Sequence, residues 1–237
     1  MDFDKIFLSL LCDSNQKPFE RVDGGIQSAS GRIVPVINGI PRFTGRIGAG
    51  QEQVRDTFSY KWNRTPEWGI ADSTAEVMTE WMMPLIGWKG EEEYAAYLSP
   101  AKVILDAGCG NGRETIRLAR LNPDALVIGL DISDAVDSAS WNSKGLPNIR
   151  FVQADLCSPP FFKNSFDYIF SFGVLHHTPD TRKAFLRLAP LLAPGGEFSF
   201  YVYRKKAPLR EYSDDFVREK IRMMSPDDAW DEMERLT

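Results

Sequence analysis

The sequence predicts an α/β fold built on a parallel sheet with flanking helices, and three observations support that class. From about residue 101 onward, short apolar runs alternate with helical patterns, as expected for parallel strands joined by crossover helices. The run 103–105 is continuously apolar, which is typical of a strand buried on both faces. Asp106 and glycines at 108, 110 and 112 follow it, directly before a helical pattern that starts at Arg113.

The elements of this region follow from apolar periodicity and from the positions of glycine and proline. We predict strands at 102–106, 126–131, 149–154, 167–172 and 197–203, and helices at 113–121, 134–144 and 178–192. Nothing after Tyr203 has a strand pattern. We therefore expect a chain that lost further C-terminal strands, because the apolar last strand would otherwise be an uncovered edge.

Residues 1–47 are predicted to form a small β-rich module. The segment 32–37 has strand composition, and Asn38-Gly39 directly after it is a strong hairpin turn signal. Pro35 lies inside this strand and cannot donate to a ladder, so it favours an edge strand.

Residues 48–98 are predicted to be a helical cap or lid. Val54, Phe58 and Trp62 recur every four residues and define one helix face. Two interpretations of the aromatic residues stay open. They pack against the core, or Phe58, Tyr60 or Trp62 closes over a cofactor or substrate.

A second helix of this segment is predicted to have Ser73 as N-cap with Glu76 in capping-box position, and to end near Pro84. A third covers 91–98. The predicted division of the chain is thus 1–47, 48–98 and 99–237, the last being the main α/β domain.

Composition and charge narrow the class of protein. The 237 residues carry a formal net charge of -5 with a pI of about 5.2, which argues against a dedicated nucleic-acid binder. Three cysteines without metal or redox spacing indicate reduced thiols. The acidic N-terminus lacks the basic region of a signal peptide, and no apolar run is long enough to span a bilayer. We expect a soluble cytoplasmic protein that does not bind membranes.

Three carboxylates follow three consecutive predicted strands. Asp106 precedes the glycine loop, where it would repel a pyrophosphate and suits a positively charged group, such as the amino acid end of S-adenosylmethionine. Asp131 lies where a ribose would be held, and Asp155 lies in reach of an adenine. The alternative is that Asp131 and Asp155 are only helix N-caps. If they are not, this sheet edge is a site for a cationic nucleoside.

In combination these segments resemble the class I S-adenosylmethionine-dependent methyltransferases, in the branch that acts mostly on small molecules. The matching segments are 105–112, 129–131, 154–156, 166–169, 174–177 and 192–196. The resemblance implies a Rossmann-like fold, S-adenosylmethionine as cofactor and a small-molecule methyl acceptor. The alternatives are a non-catalytic cofactor-binding or activator module and, more remotely, a nicotinamide oxidoreductase.

The resemblance also implies roles for individual residues. His177 is the candidate general base, with a role in shaping the pocket as the alternative for both His176 and His177. The implied cofactor-binding residues are Asp106, Ala107, Gly108, Gly110 and Gly112 at the methionine end, Asp131, Ile132, Asp155 and Leu156 at the ribose and adenine, and Ser171, Phe172 and Gly173 beside the sulfonium.

The N-terminal module resembles the zinc-ribbon-like modules found in front of some bacterial methyltransferases. The similarity lies in Leu11-Cys12 and in the segment 31–41. The four positions that carry cysteine in metal-bearing relatives are here Cys12, Asn15, Gln27 and Ser30, and one thiolate cannot hold a structural zinc. The module is therefore predicted to be a degenerate, metal-free one, with docking of a protein partner as its alternative role.

Overall fold

The computed structural model describes residues 2–45, 48–70, 74–204 and 207–236, which fall into two compact units, Met1–Val202 and Tyr203–Thr237. The strands in this part of the chain are β1 (Phe19–Val22), β2 (Gly25–Ser28), β3 (Ile33–Ile37), β4 (Ile40–Pro41), β5 (Val103–Ala107), β6 (Leu126–Asp131), β7 (Ile149–Gln153), β8 (Phe166–Phe172) and β9 (Leu192–Tyr201). The helices are α1 (Phe3–Leu10), α2 (Ala49–Arg64), α3 (Thr74–Leu85), α4 (Glu91–Leu98), α5 (Arg113–Leu121), α6 (Ala135–Asn142), α7 (Thr181–Leu188), α8 (Pro208–Ile221) and α9 (Pro226–Leu236).

The main sheet has five strands in the order β7-β6-β5-β8-β9, and all four neighbouring pairs are parallel. Its central strand β5 is the apolar run before the glycines, and Ile104 and Leu105 are fully buried in it. The predicted parallel α/β fold is thereby confirmed. The carboxyl ends of the strands meet at one edge of the sheet, which brings the strand-end carboxylates to the same side.

The end of the sheet differs from the prediction in two ways. The helix predicted over 178–192 is α7, which ends at Leu188 and is followed by a 3-10 turn, because Pro190 has no N–H to donate to a further helical hydrogen bond. Strand β9 begins at Leu192 rather than at 197. Its ladder pairs Leu192 with Phe166 and then Glu197 with Tyr168, so the glycine-containing turn lies within the strand as an irregularity.

The N-terminal module is a four-stranded antiparallel sheet in the order β1-β2-β3-β4, preceded by α1, which the sequence analysis did not predict. Asn38 and Gly39 have φ of 54° and 79°, as the predicted tight hairpin turn requires. The prediction of an edge strand around Pro35 is wrong, because β3 lies between β2 and β4. The missing N–H of Pro35 is tolerated because β4 pairs only with Val36 and Ile37.

This module packs against β7, the outer strand of the main sheet. Arg42 forms a parallel bridge with Gln153, and the Phe43 N–H donates to the Gln153 carbonyl at 2.8 Å. Phe19 and Val34 belong to the same apolar cluster as Val152 of β7. The N-terminal sheet therefore covers an edge of the main sheet that would otherwise be open to pairing.

At the four positions compared with a zinc ribbon, the structure shows hydrogen bonds. The Asp13 carboxylate accepts from the backbone N–H of Asn15 at 2.9 Å and of Lys17 at 3.0 Å, and from the Ser30 hydroxyl at 2.5 Å. These bonds, the one from Ser30 foremost, lower the pKa of Asp13 to about 2. Cys12 Sγ accepts from Gln16 Nε2 at 3.1 Å. The kinship with zinc ribbons stays a prediction.

The segment before β5 is helical as predicted, with α2, α3 and α4. The proposed cap Ser73 lies outside the described residues, and α3 includes Pro84 and ends at Leu85 rather than before the proline. The Ile86 N–H donates to Met82 O at 3.2 Å, so the helix absorbs the proline in its last turn. None of the described helices combines the length and apolar character needed to cross a membrane.

The second unit consists of α8 and α9 in its described part. Helix α9 begins at Pro226, and the Ser225 hydroxyl before it accepts from the Asp228 N–H at 3.2 Å, as an N-cap does. An ion pair between Lys220 and Glu232 connects the two helices.

Gln153 connects the N-terminal module to the main sheet. Replacing it tests how much its hydrogen bonds contribute to stability. Its Oε1 accepts from Arg42 Nη1 at 3.1 Å and its Nε2 donates to Asp134 Oδ1 at 2.8 Å, with the side chain buried. Gln153→Ala is expected to lower the free energy of unfolding by about 1–3 kcal/mol, because it leaves buried polar atoms without partners. Urea denaturation measures this, with the exposed Gln53→Ala as control; equal effects of both changes would contradict the assigned role.

Candidate functional site

The glycine loop between β5 and α5 adopts a backbone that suits glycine. Gly108, Gly110 and Gly112 have φ of 92°, 52° and 88°. A Cβ at Gly108 would lie 2.2 Å from Val174 Cγ1, and one at Gly110 would lie 3.0 Å from the Trp62 ring. At Gly108 and Gly110 there is therefore no room for a side chain, because Val174 and Trp62 already pack against the main chain.

Asp131 at the end of β6 is bonded to this loop. Its Oδ2 accepts from the Gly110 N–H at 2.9 Å, and its Oδ1 accepts from the N–H and hydroxyl of Ser133 at 2.9 and 2.7 Å. The N-cap position of α6 is occupied by Asp134 instead. The interpretation of Asp131 as a mere helix cap is thus wrong.

Asp155 follows β7 and is held from two sides. Its Oδ1 accepts from the Cys157 N–H at 2.9 Å, and its Oδ2 accepts from the side-chain amide of Gln51 in α2. No described helix begins directly after Asp155, so it is no N-cap either. Leu156 beside it is buried in the core, and Ile132 is half-buried with its carbonyl accepting from Gln153 Nε2 at 3.2 Å.

Asp106 lies at the carboxyl end of β5 and is almost fully enclosed. Its exposed fraction is 2%, and its Oδ2 accepts from the Thr115 hydroxyl of α5 at 2.6 Å. Burial raises the pKa of Asp106 to about 7. The negative charges of Glu114 and Asp131 act in the same direction, against the Thr115 hydrogen bond. This carboxyl group therefore changes protonation near neutral pH.

The predicted residues beside the sulfonium connect the ends of the central strands. The Ser171 hydroxyl donates to Ala107 O at 2.8 Å, with both residues buried, and the Gly173 N–H donates to Tyr201 O at 2.9 Å. Phe172 is half-buried and stacks on Tyr201 with ring centroids 4.7 Å apart. Of these side chains, Phe172 is the accessible one.

Helix α2 lies across all these strand ends. Trp62 contacts the glycine loop, the Ser59 hydroxyl accepts from the Asp134 N–H at 3.1 Å, and the rings of Phe58 and His177 are 5.0 Å apart. Tyr60 is bonded to Arg64 Nη1 at 3.1 Å. The lid role of Phe58, Tyr60 and Trp62 stays a prediction, and the contacts make Phe58 and Trp62 its stronger candidates.

The sequence analysis missed Gln51 and Ser59. Gln51 precedes Phe58 by seven residues and so shares its helix face, which is the signal that would have found it. Ser59 had no such signal, since it contacts the site through its hydroxyl on the flank of that face.

The histidine pair lies in a 3-10 turn after β8, with ring centroids 4.2 Å apart. Desolvation lowers the pKa of His176 to about 4, assisted by His177. Desolvation and the nearby charge of Lys61 lower the pKa of His177. Both imidazoles are therefore neutral near pH 7, the state in which such a ring can accept a proton. The role of His177 as a base stays a prediction.

Known proteins that are similar in sequence and fold show which family the chain belongs to. A family model described as a methyltransferase domain matches residues 98–234, more than half of the chain. The chain belongs to this family. The match confirms the predicted kinship with class I S-adenosylmethionine-dependent methyltransferases, and with it the Rossmann-like fold and S-adenosylmethionine as the cofactor of the domain.

Two named relatives match part of the chain. A trans-aconitate 2-methyltransferase of Deinococcus radiodurans is 38% identical over 103 residues, 44% of this chain and 38% of that protein. A 27-O-demethylrifamycin SV methyltransferase of Amycolatopsis mediterranei is 28% identical over 160 residues, 65% of this chain and 56% of that protein. The chain thus spans about half or less of the length of these relatives.

Among solved structures, the fold is similar to that of an N-methyltransferase from Bradyrhizobium japonicum in complex with S-adenosyl-L-homocysteine. The TM-score is 0.50 at 20% identity, covering 62% of this chain and 71% of that one. This likeness supports the fold.

Asp106 predicts a pH dependence of stability. The native state keeps the proton up to about pH 7, whereas the unfolded chain releases it near the ordinary value of 3.8. Stability contributed by the protonated group is therefore present in acid and lost as the pH rises from about 4 to 7, at about 1.4 kcal/mol per pH unit. The free energy of unfolding of Asp106→Asn should therefore increase relative to that of the wild type by about 1.4 kcal/mol per pH unit across this range. Urea denaturation at several pH values measures this difference. The exposed Asp124→Asn is the control, and a pH-independent difference for Asp106→Asn would contradict the assignment.

Proposed function

We propose that the protein transfers the methyl group of S-adenosylmethionine to a small-molecule acceptor. The observation that carries this proposal is the Asp131 carboxylate bonded to the Gly110 N–H, in a chain of the methyltransferase-domain family. That bond joins a glycine-rich loop to a carboxylate that can accept both hydroxyls of a ribose.

The residues present fit the cofactor. Glycines at positive φ keep side chains off the loop at positions 108, 110 and 112, and Asp131 and Asp155 follow neighbouring strands of the same edge. The proposed assignments are those stated from the sequence: Asp106, Ala107, Gly108, Gly110 and Gly112 for the methionine end, Asp131 and Ile132 for ribose and adenine, Asp155 and Leu156 for adenine, and Ser171, Phe172 and Gly173 beside the sulfonium. Bound S-adenosylmethionine supplies a methyl group already activated by a positively charged sulfur.

The chain's own task is then alignment and exclusion of water. Helix α2 covers the strand ends with Trp62 and Phe58, and Phe172 offers an aromatic face near the end of β8. His177 is neutral and would accept a proton from an acceptor group that must lose one.

The names of the relatives support a small acceptor. Trans-aconitate and 27-O-demethylrifamycin SV, which those names specify, are small organic molecules. The non-catalytic alternative is not favoured, because the named relatives are methyltransferases.

We further propose that residues 1–47 form a degenerate zinc-ribbon-like module able to dock a protein partner, that 48–98 act as the lid, and that 99–237 form the methyltransferase domain. Contacts of α2 with four parts of the site support the lid. All three cysteines are free and buried, which supports a cytoplasmic location.

Calorimetric titration with S-adenosylhomocysteine tests the proposal through Asp131. The wild type should bind, and Asp131→Ala should bind roughly ten- to a hundredfold more weakly, because a charge-assisted hydrogen bond contributes about 1.5–3 kcal/mol. Asp131→Asn keeps an acceptor for the Gly110 N–H and separates loss of charge from loss of loop order, while Asp124→Ala controls for a surface change. Absence of binding by the wild type would exclude the proposed function; unchanged affinity of both Asp131 variants would exclude the ribose contact.

A further inference from the structure

Lys61 is a half-buried cation beside the glycine loop. It lies on α2 next to Trp62, and its Nζ is 4.3 Å from the centroid of the Trp62 ring and 5.9 Å from that of Trp68. Among the described residues no carboxylate forms an ion pair with this ammonium group. The aromatic faces attract the charge but supply no anion.

The position of Lys61 connects two parts of the site. Trp62, under its ammonium group, packs so closely on Gly110 that a Cβ there would be 3.0 Å from the ring. On the other side, the charge of Lys61 reaches the imidazole of His177 and lowers its pKa. The ammonium group thus lies between the glycine loop and the turn after β8, the region proposed for the methionine end.

The carboxylate of the proposed cofactor would be favoured by a cation there. The proposed cofactor carries a carboxylate on its methionine end, and Asp106, Asp131 and Asp155 surround the site with negative or ionisable groups that would repel it. Arg113, whose guanidinium is 5.8 Å from the centroid of the Trp68 ring, is already paired with Glu114 at 2.7 Å. Lys61 has no such partner in the described part of the chain.

We propose that Lys61 Nζ binds the α-carboxylate of the methionine moiety of S-adenosylmethionine, an assignment that rests on the proposed function. The lysine stem is long and flexible, so Nζ can leave the ring face and still remain beside the loop. Burial and the charge of Arg113 lower the pKa of Lys61 in the structure, and a bound anion would act against both effects.

A pair of ligands that differ by the amino acid end tests this assignment. S-adenosylhomocysteine carries the carboxylate, whereas 5′-methylthioadenosine has the same nucleoside and thioether without it. In calorimetric titrations, Lys61→Met should weaken binding of S-adenosylhomocysteine roughly ten- to a hundredfold, because a charge-assisted hydrogen bond is lost. The same change should alter the affinity for methylthioadenosine by less than about twofold, because that ligand has no carboxylate. Lys61→Arg, which keeps the charge, should retain most of the affinity.

Lys144→Met is the matched control, because Lys144 Nζ also lies over an indole ring, that of the exposed Trp141. It should leave both affinities unchanged. Equal weakening of both ligands by Lys61→Met would show a structural effect on the lid and overturn the assignment. Unchanged binding of S-adenosylhomocysteine would overturn it as well and would direct attention to a carboxylate on the acceptor. If the wild type binds neither ligand, the proposed function itself fails, a result distinct from both.

Discussion

The architecture of the site depends on how the chain crosses the end of β6 immediately after β5. Three consecutive amides bond to that strand end: the N–H groups of Gly108 and Cys109 donate to Leu130 O at 2.7 and 3.1 Å, and that of Gly110 donates to Asp131 Oδ2 at 2.9 Å. This path needs positive φ at the first and third of these residues, which glycine provides without strain. The crossing sets where α5 begins and which atoms face a ligand.

The same crossing sets the electrostatics. Asp106 is shut behind the loop, so it keeps a proton near neutral pH, whereas the Asp131 carboxylate is stabilised by three hydrogen bonds. Asp106 thus differs in burial from Asp131 and Asp155, which are only half-buried. A ligand with a positive group near Asp106 would favour its ionised form, and the amino group of the proposed cofactor is such a group.

The sequence predicts the features that depend on local residue chemistry, and it misses those that depend on how distant elements pack together. Strand 126–131 is found residue for residue because it is a continuous apolar run ending in a carboxylate. The Asn38-Gly39 turn is found because few residues tolerate two positive φ angles in succession. The edge-strand prediction from Pro35 is wrong, because β4 is short and pairs only with Val36 and Ile37. The length of β4 depends on strand pairing, which the local sequence does not specify. The contact of Gln51 with Asp155 joins positions 104 residues apart and exists because α2 packs across the sheet edge.

The N-terminal module is structurally part of the site rather than an appendage to it. Arg42 is buried, with its guanidinium bonded to Gln153 Oε1 at 3.1 Å and to Asp137 of α6 at 2.7 Å. Gln153 in turn holds Ile132 O and Asp134, which directly follow Asp131, and it ends the strand that leads to Asp155. One buried arginine of the module therefore orders the segments after both β6 and β7. A protein that docked on the module and shifted Arg42 would reach the ribose and adenine ends of the proposed cofactor site through two hydrogen bonds.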